Sequence, residues 1–286
     1  MIALVTSQSA RSLDTDLPLL LGAFDELAVD VEIAAWDDPD TDWSRFDAAV
    51  LRSTWDYHRR LEAFDQWLEH VAAVTTLWNP LSLVRWNLDK RYLLEVATWG
   101  VPIVPTLAVA SVTELGDAPI HASVVGDVVV KPAIGAGANG ARRIVDDPQT
   151  ALEHARSLLD AGLTALIQPY VTAVDTIGET GIVTVGGQVS HAFGKAAILT
   201  GDPEWADGLY VTETIDARVA TGAELDIAHA VMAHLPATAY ARIDLLPGPD
   251  GPMVSEIELI EPSLFLHVDE GAPARAAAAF ASLTSR

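Results

Sequence analysis

The chain has 286 residues, half of them hydrophobic and a fifth charged, with a formal net charge of -23 and no cysteine. That length supports a sizeable core in two or three lobes. The acidic balance excludes a basic nucleic-acid footprint and an affinity for anionic membranes, and the missing cysteines exclude disulfides, thiolate zinc sites and a cysteine nucleophile. No stretch is long and apolar enough to span a bilayer, and residues 1–6 lack the basic leader and long apolar run of a signal peptide, so a cytoplasmic protein is expected.

Residues 2–5 read as a short apolar strand. Residues 14–28 follow with Leu17, Leu20, Leu21, Phe24 and Leu27 at helical spacing. Strands are expected over 29–35 and 46–51, an amphipathic helix over 61–73, and a short strand over 76–80 closed by Pro80. This alternation predicts a parallel α/β layer, whose ligands sit beyond the carboxyl ends of its strands. The loop Arg52-Ser53-Thr54-Trp55-Asp56-Tyr57 lies at such an end. Residues 86–99 read as one helix stopped by Gly100, with Lys90 and Arg91 near its start. Taken by itself, Lys90 would be a solvated surface lysine. Residues 103–110 are extended, and a short helical piece begins at Ser111 or Thr113.

A β-branched run over 124–132 then carries Lys131 into the loop Gly135-Ala136-Gly137-Ala138-Asn139-Gly140. Glycine permits positive φ and close approach, so such a loop can turn its backbone N–H groups toward an anion. Lys131 would add a point charge for phosphate. The spacing Gly135-x-Gly137-x-x-Gly140 matches the dinucleotide fingerprint, but that fingerprint opens a helix, whereas Arg142-Arg143-Ile144-Val145 reads as strand. A Walker A loop is excluded by Ala141-Arg142. A phosphate flap and a plain β-hairpin remain. Asp147-Pro148 opens a helix over 148–161. The strand 165–171 contains Gln168, Tyr170 and Val171, whose backbone could meet an adenine edge, while Asp175 or Glu179 could take ribose hydroxyls. A plain connector strand with a capping acid fits the same residues.

Strands over 180–185 and 188–193 flank Gly186-Gly187, a hairpin signal. Residues 194–208 read as loop and 225–234 as helix. Strands over 238–245 and 253–260 flank a longer proline- and glycine-rich turn, and 272–283 is an alanine-rich helix. By the period of two, Arg242 and Asp244 share a face, as do Glu256 and Glu258. Pairing across the turn brings Asp244, Glu256 and Glu258 together, with Glu261 near the end. Clustered carboxylates need a cation among them, and hard oxygen ligands suit magnesium, which takes one or two carboxylates plus substrate phosphates. The alternative is a solvent-facing polar side of a sheet. No histidine pair has zinc spacing, and Ser7, Ser9 and Ser53 lack a nucleophile elbow.

The order of these pieces resembles the ATP-grasp superfamily of carboxylate ligases over nearly the whole chain: an α/β lobe, Lys90, Lys131 before a glycine flap, the strand around Gln168–Val171, then the carboxylate hairpin. The resemblance implies three parts, an N-terminal α/β domain over 1–100, a lid subdomain over 101–170 and a catalytic subdomain over 171–286 with an antiparallel sheet. It implies ATP and magnesium as cofactors. Lys90, Lys131, Gly135, Gly137, Asn139, Gly140, Gln168, Tyr170, Val171, Asp175 and Glu179 would hold nucleotide, and Asp244, Glu256 and Glu258 would hold metal. Arg242 and Lys131 would be catalytic. Glu258 stands where the superfamily commonly has asparagine. The motifs at 52–57, 84–87 and 258–265 are similar to the group that includes the cycloserine-forming cyclo-ligase of antibiotic biosynthesis. An amino-acid-like substrate read by Arg52, Thr54, Asp56 and Glu261 is then expected, as for ring closure of O-ureido-D-serine. Other readings are an intermolecular ligase, a non-catalytic nucleotide or amino-acid binding module of this fold, or an NAD(P) enzyme built on 135–140. A homo-oligomer is compatible with all of them, and neither nucleic-acid nor membrane partners are expected.

Overall fold

The computed structural model describes residues 1–197, 199, 205–206 and 208–283, so much of the loop expected over 194–208 (198, 200–204 and 207) lies outside the described residues. No helix among those described is long and apolar enough to cross a membrane. β1 (Ile2–Thr6), β2 (Val31–Ala35), β3 (Ala48–Ser53) and β4 (Thr76–Trp78) form a parallel sheet in the order β2-β1-β3-β4, as the alternation predicts. β1 and β3 are buried along their whole length because both faces are covered. α1 (Asp16–Glu26) buries Leu17, Leu20 and Phe24 in a core shared with the far end of the chain, and α2 (Leu61–Val74) buries Phe64, Trp67, Leu68 and Val71 on the other side.

The helix expected over 86–99 is two helices. α3 (Leu81–Asn87) and α4 (Tyr92–Thr98) are separated by a turn over 88–91. The break has a tertiary cause, described below, which helical periodicity does not carry.

β5 (Leu107–Val109), β6 (Val128–Pro132), β7 (Arg142–Ile144) and β8 (Ala165–Pro169) make an antiparallel sheet ordered β5-β8-β6-β7. α5 (Ala118–Ser123) and α6 (Pro148–Asp160) cover one face, where Val128, Val130, Ile144 and Ile167 meet Ala151, Ala155 and Leu158. Val129 and Lys131, alternating with these, take the opposite face. The glycine loop joins β6 to β7, and the next helix begins only at Pro148, where the Asp147 carboxylate accepts from Thr150 N at 3.0 Å. Strand, loop, strand argues against the NAD(P) reading, since the loop leads into β7 and does not open a helix.

The last sheet is ordered β13-β10-β9-β14-β15. After α7 (Val174–Ile177) come β9 (Glu179–Val185) and β10 (Gln188–Lys195), joined at Gly186-Gly187. β11 (Trp205–Ala206) and β12 (Tyr210–Val211) form a separate pair, followed by β13 (Ile215–Arg218). α8 (Gly222–His234) starts with a capping box of Thr221 and Glu224. β14 (Tyr240–Gly248) and β15 (Gly251–Glu258) run further than expected, with Pro247 opposite Pro252, so the expected longer turn shrinks to Pro249-Asp250. α9 (Ala272–Ser282) returns to pack Ala276, Ala277 and Phe280 against the α1 core.

β15 ends the sheet, and its outer edge is satisfied by other groups. Val254 exchanges backbone hydrogen bonds with Pro102 and Val104, both 2.9 Å. Tyr92 Oη accepts from Ile257 N at 2.7 Å and donates to Ile257 O at 2.8 Å. Asn87 accepts from Leu259 N at 2.8 Å and donates to Ile257 O at 2.7 Å. These bonds require Asn87 and Tyr92 to face one strand while Lys90 between them reaches past it, which breaks the helix. Truncation by Asn87→Ala leaves Leu259 N buried without its acceptor, a loss of about 1–3 kcal/mol. Urea unfolding should show a lower midpoint with an unchanged slope.

Candidate active site

The second and third sheets enclose a cavity of about 510 Å³, a size that suits a small-molecule site. β6 delivers Lys131, the turn after α3 delivers Lys90, β10 delivers Lys195, and β14 and β15 deliver Arg242, Asp244, Glu256 and Glu258. The ladder pairs Asp244 with Glu256 and Arg242 with Glu258, the shared face expected from the alternation.

Lys90 is fixed by its own backbone, which donates to Ala133 O at 2.8 Å. Its ammonium meets Glu256 at 3.0 Å and donates to Gly135 O at 2.5 Å. Lys131 stands 3.9 Å from the same glutamate. Lys195 is 2.8 Å from Glu179, 3.4 Å from Glu213 and 3.6 Å from Asp244. Arg242 grips Asp244 through Nε and Nη2 at 2.9 and 2.8 Å, pairs with Glu258, and donates from Nη1 to Ser263 O at 3.0 Å.

Four cationic side chains thus share the cavity wall with six carboxyls, Glu179, Glu213, Asp244, Glu256, Glu258 and Glu261. The surplus shows in the proton affinities. Burial works to raise Glu256, but Lys90 and Lys131 outweigh it and hold the carboxyl down at about 2. Burial, joined by Asp244 and Glu256, pushes Glu258 up to about 8 despite Arg242. Burial and Glu256 push Glu261 up to about 7, although Lys90 opposes them. Burial, helped by Lys90 and Lys195, lowers Lys131, whereas for Lys90 the carboxylates overcome burial and raise it.

The expected metal acids therefore converge, but with cations interleaved. Among the described residues no three carboxylates or histidines stand close enough to hold an ion on their own. Asp244, held by Arg242 and Lys195, is nearly fully buried, whereas Glu256 and Glu258, though paired with Lys90 and Arg242, keep 26% of their side-chain surface exposed.

The glycine loop leans over the cavity, with Gly135, Gly137 and Asn139 in its wall. Gly137 has φ +61°, and a Cβ there would stand 2.4 Å from Leu209 O, so only glycine lets the loop meet the 208–212 segment. Gly140 lies outside the wall, its carbonyl hydrogen-bonded to His154 Nε2 at 2.9 Å. Gln168, Tyr170 and Val171 also line the cavity, with Val129 and Leu246. The Tyr170 amide already donates to Asp127 O at 2.8 Å, so it is not free for a base edge. Asp175 is outside the wall, held by Tyr170 Oη and by Arg143 Nη1 at 3.4 Å. Glu179 faces the lysine cluster instead, directly opposite Lys195 in the ladder.

Of the stretch 52–57, the cavity receives Trp55 and Tyr57. Arg52, Thr54 and Asp56 are buried beneath it and are not part of the wall. Asp56 accepts from Trp36 Nε1 at 3.0 Å and pairs with Arg60, which leaves it no open face for an ammonium. Glu261 does line the cavity. Sequence reasoning missed Lys195. Its signal was available: like Lys131, it is a lysine at the end of a β-strand, but the strand was expected to stop at Phe193.

Comparison with known proteins agrees with this geometry. A family model described as D-cycloserine synthetase DcsG, N-terminal domain, matches residues 2–79. The cycloserine biosynthesis protein DcsG of Streptomyces lavendulae is 37% identical over 98% of this chain and 97% of its own length. A crystal structure of D-cycloserine synthetase DcsG superposes with a TM-score of 0.89 at 36% identity, covering 99% of both chains. The ATP-grasp ligase PsnB, solved with a phosphomimetic variant of its minimal precursor, magnesium and ADP, shares the fold at a TM-score of 0.65 and 17% identity, over 99% of this chain and 98% of its own. The chain belongs to the D-cycloserine synthetase DcsG family, built on the ATP-grasp ligase fold.

Proposed function

We propose that this chain is an ATP-dependent ligase that activates the carboxylate of a small amino-acid-like molecule and closes a C–N bond, by ring closure in a substrate of the O-ureido-D-serine type. The observation that carries the reading is the meeting of Lys90, Lys131 and Lys195 around Glu256 and Asp244 in one cavity between two antiparallel sheets. The three ammonium groups suit the terminal phosphates of a nucleotide, and the apolar lining of Val129, Val171 and Leu246 with Tyr170 suits its base. The division near residues 100 and 170 then separates the acceptor-side lobe, the lid and the catalytic sheet.

The donor set fits magnesium. Two more carboxyls than cations line the cavity, and burial, with Asp244 and Glu256 nearby, lets Glu258 keep its proton to about 8 despite Arg242. Glu256 and Glu258 would hold the ion, and bound magnesium would supply positive charge against the terminal phosphates. The rest falls to the chain's own residues. Lys90, Lys131 and Lys195 would orient the phosphates and balance their charge as the γ-phosphoryl passes to the substrate carboxylate. The nitrogen would attack the acyl carbon of the resulting acyl phosphate, forming the C–N bond as inorganic phosphate leaves and the nitrogen gives its proton to a base. Arg242, already bound to Ser263 O, would steady the carboxylate. The glycine loop closing on residues 208–212 would keep water from the acyl phosphate. An intramolecular nitrogen benefits most from such positioning.

Purified protein with ATP and magnesium should release ADP in the presence of O-ureido-D-serine; silence with that compound and with a panel of amino-acid-like acids would falsify the ligase reading. Lys131→Ala should raise the KM for ATP by roughly ten- to hundredfold, the worth of one charged hydrogen bond, with little change in Tm. Glu261 predicts a pH effect. The unfolded chain releases its proton near the ordinary glutamate value, while the folded protein keeps it to about 7. Rising pH between those values therefore costs stability, and the whole loss is present above pH 7. With no divalent cation added, Glu261→Gln should match the unmutated protein in Tm near pH 4.5 and exceed it at pH 8.

A further inference from the structure

Residues 259–265 lead from β15 to a 3-10 turn over Leu266–Val268 without regular structure, yet side chains hold most of the backbone groups from Ile260 to Leu266. Five successive carbonyls are engaged. Tyr240 Oη donates to Ile260 O at 2.6 Å, Trp55 Nε1 to Glu261 O at 2.9 Å, and Arg52 Nη2 to Pro262 O at 2.9 Å. Arg242 Nη1 donates to Ser263 O at 3.0 Å, and His191 Nε2 lies 2.7 Å from Leu264 O. Three successive amides then converge on one carboxylate. Asp16 accepts from Leu264 N at 2.6 Å, Phe265 N at 3.1 Å and Leu266 N at 2.8 Å. Phe265 adopts φ +48°, which turns the amides of this stretch inward.

Asp16 and Arg52 are both buried, 3.6 Å apart, and lie outside the cavity wall. The guanidinium also lies 5.2 Å from the Tyr240 ring centroid. A buried ion pair stabilises little by itself, and what this pair visibly does is hold the backbone of 262 and 264–266. The segment it holds carries Glu261, Ser263 and Phe265 into the cavity beside Arg242 and Glu258. We propose that Asp16 and Arg52 are positioning residues, an anionic and a cationic strut from the first sheet that set the acceptor-side wall of the site at 261–266. The inference rests on the ligase reading for its kinetic consequence only. Arg52, expected from the sequence to touch substrate, thereby acts through Pro262 and Asp16 instead.

Asp16→Asn removes the charge and replaces one acceptor oxygen by a donor at unchanged size. Hydrogen exchange read by mass spectrometry should show the peptide over 260–267 exchanging at least tenfold faster in the variant, with peptides over 128–132 and 240–248 unchanged. In ADP release driven by the acceptor acid, kcat should fall at least tenfold while KM for ATP stays within twofold. Arg52→Lys, which keeps the cation, should retain more kcat than Arg52→Met. Exchange that is unchanged, or faster throughout the protein, overturns the proposal, as does a loss shared between kcat and the KM for ATP. If Asp16→Asn does not fold, the two Arg52 variants decide by the same exchange and kinetic criteria. If the unmutated protein releases no ADP with any acid, the ligase reading fails, and the exchange result alone judges the strut.

Discussion

Six carboxyls and four cationic side chains share one cavity, and burial makes that imbalance costly. The cations are therefore shared among the acids, Lys90 and Lys131 both going to Glu256. Lys195 serves Glu179, Glu213 and Asp244, while Arg242 serves Asp244 and Glu258. What remains is an excess of acid beside Glu256, Glu258 and Glu261, with proton affinities spread from about 2 to about 8. Groups pushed apart in this way by one environment are characteristic of reactive sites. Under the proposed ligase reading, the same excess would favour a divalent cation and the three lysines a polyphosphate.

Holding such charges requires a backbone that cannot relax, and the protein achieves this with side chains where regular pairing ends. The outer edge of β15 is completed by Asn87, Tyr92 and the segment 102–104. Asn79 continues the pattern one step further, donating to Leu259 O at 2.8 Å and to Tyr240 O at 3.0 Å. Residues 260–264 are then held carbonyl by carbonyl. Pre-organised polar groups of this kind act without reorganising during reaction, which is where electrostatic catalysis gains its effect.

The first sheet contributes to the site from beneath it. Trp55 and Tyr57 reach the cavity, while Arg52 and Asp16 act from behind its wall. The core that joins α1 to α9 makes this lobe continuous with the catalytic sheet. The match of residues 2–79 to the DcsG N-terminal family falls on the lobe that supplies these contacts.

The parallel first layer, the glycine loop between two strands, and the convergence of Asp244, Glu256 and Glu258 on one face were legible in the chain itself. Each rests on a local rule: the period of two in strands, turn chemistry at glycine, or the alternation of strand and helix. Lys90 was recognised only through resemblance, because a lysine near a helix start looks like any surface lysine. Other features were decided by contacts between residues far apart in sequence. The break at 88–91 exists because Asn87 and Tyr92 must meet Ile257 and Leu259. Arg52, Thr54 and Asp56 lie behind the wall because Trp55 and Tyr57 take the cavity side. Asp16 is an unremarkable acid in the first turn of a helix until the fold brings it to the amides of 264–266. Periodicity describes which face a side chain takes; it does not say what stands opposite, and in this protein the charge balance of the site is set by what stands opposite.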